Sequence, residues 1–139
     1  MKRILFVCIG NCCRSQMAEG FANRYGTDVL TASSAGLAPT PTVAQETIAT
    51  MAEKNIDISR HYPKHFEPSE AKEFDLIVNM SSFHLPGKLA VPTREWKVRD
   101  PFGESNAVYM QSCNDIETRV MHLILELRRA QRSGPPIAS

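Results

Sequence analysis

The stretch Cys8-Ile9-Gly10-Asn11-Cys12-Cys13-Arg14-Ser15 packs thiols, a guanidinium and a hydroxyl into one short loop. Three chemistries use such a set: a metal knuckle, a disulfide staple, or a cradle for an oxyanion with a thiolate at its centre. Disulfide frameworks spread their bridges across loop-rich secreted chains, whereas three of the four cysteines here crowd positions 8 to 13. Zinc sites want paired knuckles repeated farther along, but adjacent Cys12 and Cys13 should point apart and Cys113 stands alone. No metal is therefore expected. The oxyanion cradle uses every residue type present. Gly10 and Asn11 tolerate left-handed backbone, so the loop can turn successive amides inward as an anion nest. A helix opening near Ser15 adds free N–H groups and the positive end of its dipole. Such a field favours Cys8 in the form that attacks. Arg14 offers a planar fork for two oxygens of a tetrahedral anion. No Asp or Glu lies in the loop to repel that anion.

Spacing alone is weak evidence, because Cys113 and Arg119 repeat it in CNDIETR. That second copy falls in an expected helix, where six residues put the side chains about 120° apart. It has no glycine, and Asp115 and Glu117 would repel phosphate. The first copy differs by its strand, Gly-Asn turn and following helix. A phosphoester held by Arg14 would let Cys8 attack phosphorus and form a phosphocysteine that water removes. The leaving oxygen then needs a proton from another loop. Asp100 in VRDPFGES, stiffened by Pro101, is the candidate acid, with a plain turn or capping role as its alternative.

These residues need a scaffold that brings distant loops together. RILFV reads as a buried parallel strand. From Gln16 the spacing becomes helical, with Met17, Phe21 and Tyr25 on one face and Gly26 as the stop. Residues 28–33 read as a second strand, 42–55 as a helix, 74–80 as a third strand and 93–100 as a weaker fourth. A last helix spans 107–132, with Ile116, Val120, Leu123, Ile124 and Leu127 on its buried stripe. The alternation predicts an α/β fold: a four-stranded parallel sheet with helices on both faces, a Rossmann-like three-layer arrangement. Ligands of such sheets bind beyond the carboxyl ends of the strands, where the Cys8 loop lies. The expected organisation is one domain over 1–132 and a flexible tail over 133–139.

The chain of 139 residues carries a formal net charge of +1 with 22% charged residues. That balance disfavours nucleic acid or an anionic membrane as partner. MKRILFV lacks an apolar segment or cleavage site for export, so the cytoplasm is the expected location.

VCIGNCCRSQMAEGFA, SSAG, IDISRH and RDPFG, in that order, resemble the low-molecular-weight protein tyrosine phosphatase family, which also includes thioredoxin- and glutaredoxin-linked arsenate reductases. The resemblance implies a two-step phosphocysteine mechanism with no cofactor. It makes Cys8 the nucleophile, Arg14 the oxyanion binder and Asp100 the general acid. It further implies that Asn11, Ser15 and Ser34 hold the loop's shape by hydrogen bonds, that Ser15 assists the thiolate, and that His61 supports the loop. Cys13 matches a cysteine that can trap oxidised Cys8 as a reversible disulfide. Cys12 stands where the family commonly has Ile, Ser or Thr, and it is expected at the pocket wall with Ile9 and Phe102.

Within the family the motifs point two ways. CRSQMAEG and SAGLAP resemble the reductases, whereas phosphatases usually have Pro where Gln16 stands. The reductases carry relay thiols just after the third strand, and here Met80, Ser81, Ser82 and Phe83 occupy that place. The leading expectation is a phosphatase acting on phosphomonoesters, with protein phosphotyrosine first. Phe102-Gly103 replaces the paired tyrosines of phosphotyrosine enzymes and resembles a subgroup that acts on phosphoarginine. Arsenate reduction with thioredoxin or glutaredoxin is the first alternative. A non-catalytic phosphate-binding or carrier module is the last, disfavoured by Arg14. Trp96 and Tyr109 are candidates to border the pocket, with core packing as their more ordinary role.

Overall fold

The computed structural model describes residues 1–132, and the expected tail at 133–139 lies outside the described residues. Ile4 to Cys8 are buried without interruption, so β1 (Lys2–Cys8) meets solvent on neither face over that run and takes a central place in the sheet. It pairs in parallel with β2 (Leu30–Gly36) on one side and β3 (Leu76–Asn79) on the other. β4 (Thr93–Glu95) pairs in parallel with β3, giving the order β2-β1-β3-β4. This is the four-stranded parallel α/β sheet the sequence predicts.

Strand side chains alternate between faces. Ile4, Phe6 and Cys8 enter one core with Met17 and Phe21 of α1 (Arg14–Tyr25), Met51 of α2 (Gln45–Glu53), and Ile116, Val120 and Ile124 of α3 (Asn106–Arg132). Leu5, Val7 and Ile77 face the other way. Their cover is Phe66, Ala71 of a short 3-10 helix (Pro68–Glu73), and loop side chains such as Leu85, Leu89 and Val91. The second face is thus the thinner layer, closed by one 3-10 turn and loops rather than by an α-helix.

Three element boundaries differ from the expected ones, and each difference bears on the loop after β1. β2 runs on to Gly36 because β1 supplies a partner for every residue to Cys8↔Gly36. α2 begins at Gln45 rather than Thr42 because the preceding segment binds the Cys8 loop instead. Leu37, Ala38, Thr40 and Ala44 donate their amides to the carbonyls of Cys8, Ile9, Gly10 and Cys12. β4 stops at Glu95, and Trp96–Asp100 continues as a strap. It is held by Trp96 N to Asn79 O, Arg14 to Val98 O, Ser112 to Arg99 O and Arg119 to Lys97 O. The parallel register leaves Cys8, Gly36 and Asn79 at one edge of the sheet, with this strap beside them.

Candidate active site

The loop between β1 and α1 has to reverse direction in five residues. Asn11 does this with a left-handed φ of 51°. Gly10 does not take that conformation; its role is space. A Cβ there would stand 3.0 Å from Cys12 Sγ and 3.1 Å from Thr40 Cγ2. Gly36, at the end of β2, is under tighter constraint: a Cβ would meet Ile9 O at 2.7 Å and Asn11 N at 2.8 Å. The loop lies directly on this glycine.

Side-chain hydrogen bonds then fix the loop. Asn11 Oδ1 accepts from Lys64 N at 2.8 Å, which orients the amide, and Nδ2 donates to Ser15 Oγ at 2.7 Å. Ser15 Oγ lies 2.9 Å from Cys8 Sγ. All three side chains are buried. Gln16, which the sequence reading did not assign to the site, bridges Asn11 O, Asn11 Oδ1 and Tyr62 O through Nε2. His61 Nδ1 faces Gln16 Oε1 at 2.9 Å and Glu19 Oε2 at 3.3 Å, so it supports the loop through Gln16. Both neighbours are acceptors, which puts a proton on Nδ1. Ser34 requires a correction: its hydroxyl donates to Glu19 Oε1 at 2.8 Å rather than to the loop. Ser34 reaches the loop only at second hand, through Glu19, His61 and Gln16.

Arg14 opens α1 and is buried. Its Nη1 donates to the carbonyls of Met80 and Val98, tying the end of β3 to the strap after β4. That leaves the Nε and Nη2 edge of the fork for an anion. Asp100 Oδ2 stands 3.7 Å from Nη2. Its other oxygen accepts from Phe102 N at 3.1 Å, so the turn role and the site position coexist in one side chain.

Cys8, Ile9, Gly10, Cys12, Cys13, Arg14, Asp100 and Phe102 all line one cavity of about 140 Å³, together with Ala38 and Thr40. Phe102 is 60% exposed and forms a single aromatic wall. Trp96 packs against Phe6 with ring centroids 5.8 Å apart. Tyr109 is buried, and its hydroxyl lies 3.5 Å from Cys13 Sγ.

Cys12 and Cys13 do not point apart as expected. Their Sγ atoms are 3.5 Å from each other, because Cys13 is the N-cap of α1 and the extended-chain alternation fails at that helix start. The Cys13 thiol, with help from Thr40, draws Cys12 below the usual thiol range against the effect of burial. The same contact, with burial, pushes Cys13 up. Cys12 is thereby the more acidic thiol of the two. Met80 and Ser81, at two of the relay positions, are buried, and Ser81 is bonded to Asn79. Cys113 lies in the α3 core against Met51.

A family model for low molecular weight phosphotyrosine protein phosphatase matches residues 3–133. The glutaredoxin arsenate reductase of Synechocystis sp. is 34% identical over 131 residues, covering 91% of this chain and 99% of that protein. A solved arsenate reductase in the phosphate binding state aligns with a TM-score of 0.85 at 34% identity, over 91% of this chain and 99% of that one. A low molecular weight protein tyrosine phosphatase from T. tengcongensis aligns with a TM-score of 0.82 at 28% identity, over 91% and 100%.

Proposed function

Because the chain belongs to the low molecular weight phosphotyrosine protein phosphatase family, we propose that it is a cysteine-dependent phosphatase for phosphomonoesters, with aryl phosphates such as protein phosphotyrosine as the preferred class. The observation that carries this reading is the convergence of Cys8, Arg14 and Asp100 on one cavity. Cys8 attacks phosphorus while the loop amides and the Arg14 fork hold the equatorial oxygens. Asp100 protonates the leaving oxygen and then takes a proton from the water that cleaves the phosphocysteine. The chain's own residues suffice for each step, so the reading calls for no cofactor. Ile9, Ala38, Thr40 and Phe102 give the cavity mouth a mainly apolar rim for the leaving group. The partner in this reading is a phosphorylated protein or small phosphoester in the cytoplasm.

Hydrolysis of p-nitrophenyl phosphate tests it. Robust wild-type turnover, absent in Cys8→Ser and strongly reduced in Asp100→Ala, supports the assignment. Negligible wild-type turnover overturns it.

Arsenate reduction is the second reading, favoured by the thiols of Cys12 and Cys13 beside Cys8 and by relatives named as arsenate reductases over most of the chain. It lacks thiols at Met80, Ser81 and Ser82, so any relay would have to run within the loop. Arsenate-dependent oxidation of a thioredoxin or glutaredoxin system distinguishes the two.

A further inference from the structure

Phosphoryl transfer gives Cys8, Arg14 and Asp100 their work but leaves the neighbouring thiols without any. Cys12 and Cys13 both line the cavity, neither is in a disulfide, and their sulfurs are 3.5 Å apart. Two soft donors at that separation form a bidentate ligand. A zinc ion would ask for four donors, and among the described residues no group of three Cys, His, Asp or Glu is assembled to hold a metal. Trivalent arsenic asks for less: it is thiophilic, three-coordinate, and keeps a hydroxyl or organic group in its third position.

We propose that Cys12 and Cys13 form a covalent dithiol site for trivalent arsenic, as arsenite or a monosubstituted arsenical, in the wall of the oxyanion cavity. For arsenite, each sulfur forms a bond to arsenic as one As–OH bond breaks, and each thiol proton leaves with that hydroxide as water. Two waters are released per arsenic, the oxidation state stays at +3, and no reductant is consumed. The surroundings fit the product. Thr47 Oγ1 is buried without a hydrogen-bond partner, and it lies against Cys13 and Tyr109. Together with the Tyr109 hydroxyl it offers donors to the Cys13 sulfur once its proton is gone. The depressed Cys12 thiol is the readier first attacker. Arsenic held there occupies a cavity of about 140 Å³ and excludes a tetrahedral anion. The site requires no reductase activity of the chain; in a reductase it would retain the product.

The test is intact-mass analysis of the reduced protein with sodium arsenite and, separately, with phenylarsine oxide. One arsenic per chain is expected in wild type, Cys8→Ser and Cys113→Ala, removed by excess small dithiol. Cys12→Ser and Cys13→Ser should each weaken binding about a hundredfold or more, because the second attachment is no longer intramolecular. Cys13 is buried, so should its variant not fold, Cys12→Ser alone decides. No adduct in wild type, or an adduct that survives Cys12→Ser and disappears in Cys8→Ser, overturns the proposal.

Discussion

Ser15 Oγ lies 2.9 Å from Cys8 Sγ while accepting a hydrogen bond from Asn11 Nδ2, so the serine hydroxyl is free to donate to the sulfur when the sulfur is a thiolate. The direction is not arbitrary, because Lys64 N fixes Asn11 Oδ1 as the acceptor end of that amide. In the proposed mechanism Cys8 attacks as the thiolate, and a hydrogen bond to a charged group contributes about 1.5–3 kcal/mol. Ser15→Ala should therefore lower kcat for p-nitrophenyl phosphate roughly ten- to hundredfold. KM should move less, since the anion is held by amides and Arg14. An unchanged kcat would remove Ser15 from the mechanism.

The position of Asp100 beside Arg14 makes a leaving-group prediction. General acid catalysis contributes about 10²–10⁴-fold, most where the leaving oxygen is basic. Asp100→Asn should thus lose more activity on phenyl phosphate than on p-nitrophenyl phosphate, whose leaving group departs with little protonation. Equal losses on both substrates would argue that Asp100 only positions Arg14.

Gly36 tests how rigidly the loop is built. A methyl group there would stand 2.7 Å from Ile9 O and 2.8 Å from Asn11 N, and both contacts are backbone atoms that cannot swing aside. Overpacking of this kind costs about 1–3 kcal/mol. Gly36→Ala should lower the urea midpoint accordingly and weaken competitive inhibition by inorganic phosphate. A variant with wild-type phosphate affinity would show that the loop adapts.

The Arg128 guanidinium bonds both carboxylate oxygens of Asp28 and holds that carboxyl below its ordinary value of 3.8. A depressed folded value means that the pair adds stability above the ordinary carboxylate range and loses it as pH falls through the lower folded value. The pair is exposed, so the contribution is small and screened by salt. Asp28→Asn should lower the urea midpoint slightly near neutral pH and match wild type in strong acid. A deficit that persists in strong acid would point to packing rather than charge.

Burial pushes the Cys113 thiol up to about 11. At neutral pH it should resist iodoacetamide in the folded protein and react only after denaturation. Peptide mapping of the alkylated native protein checks this, and early labelling at Cys113 would mean that α3 opens locally.

What could be read in the chain was local. Cys8, the Gly10-Asn11 turn and Arg14 declare themselves within one loop, and α1 declares itself by the recurrence of Met17, Phe21 and Tyr25. What could not be read depends on how strands and segments far apart in the chain align. Gln16 meets Tyr62 O, and Glu19 meets Ser34 and His61, only because β2 lies beside β1 and the following segment returns to Lys64. The 37–44 segment carries no motif that says its amides will serve the Cys8 loop. Side-chain alternation fails to describe Cys12 and Cys13 because it does not hold at a helix start. The fourth strand is shorter than its pattern predicts because backbone pairing ends with Trp96 N to Asn79 O, and side chains from α1 and α3 hold Lys97–Asp100 in line.

The two carbonyls that Arg14 grips, Met80 and Val98, lie 66 and 84 residues away along the chain. As the protein is synthesised, the Cys8 loop emerges almost at once, yet the Arg14 guanidinium has nothing to anchor it until β3 and the strap after β4 have followed. Such long-range contacts form late in folding. A nascent or truncated chain ending before Val98 carries the thiol without a fixed anion fork, and under the proposed mechanism it should stay inert toward phosphoesters. Under the proposed function, turnover would thereby be a readout of completed folding.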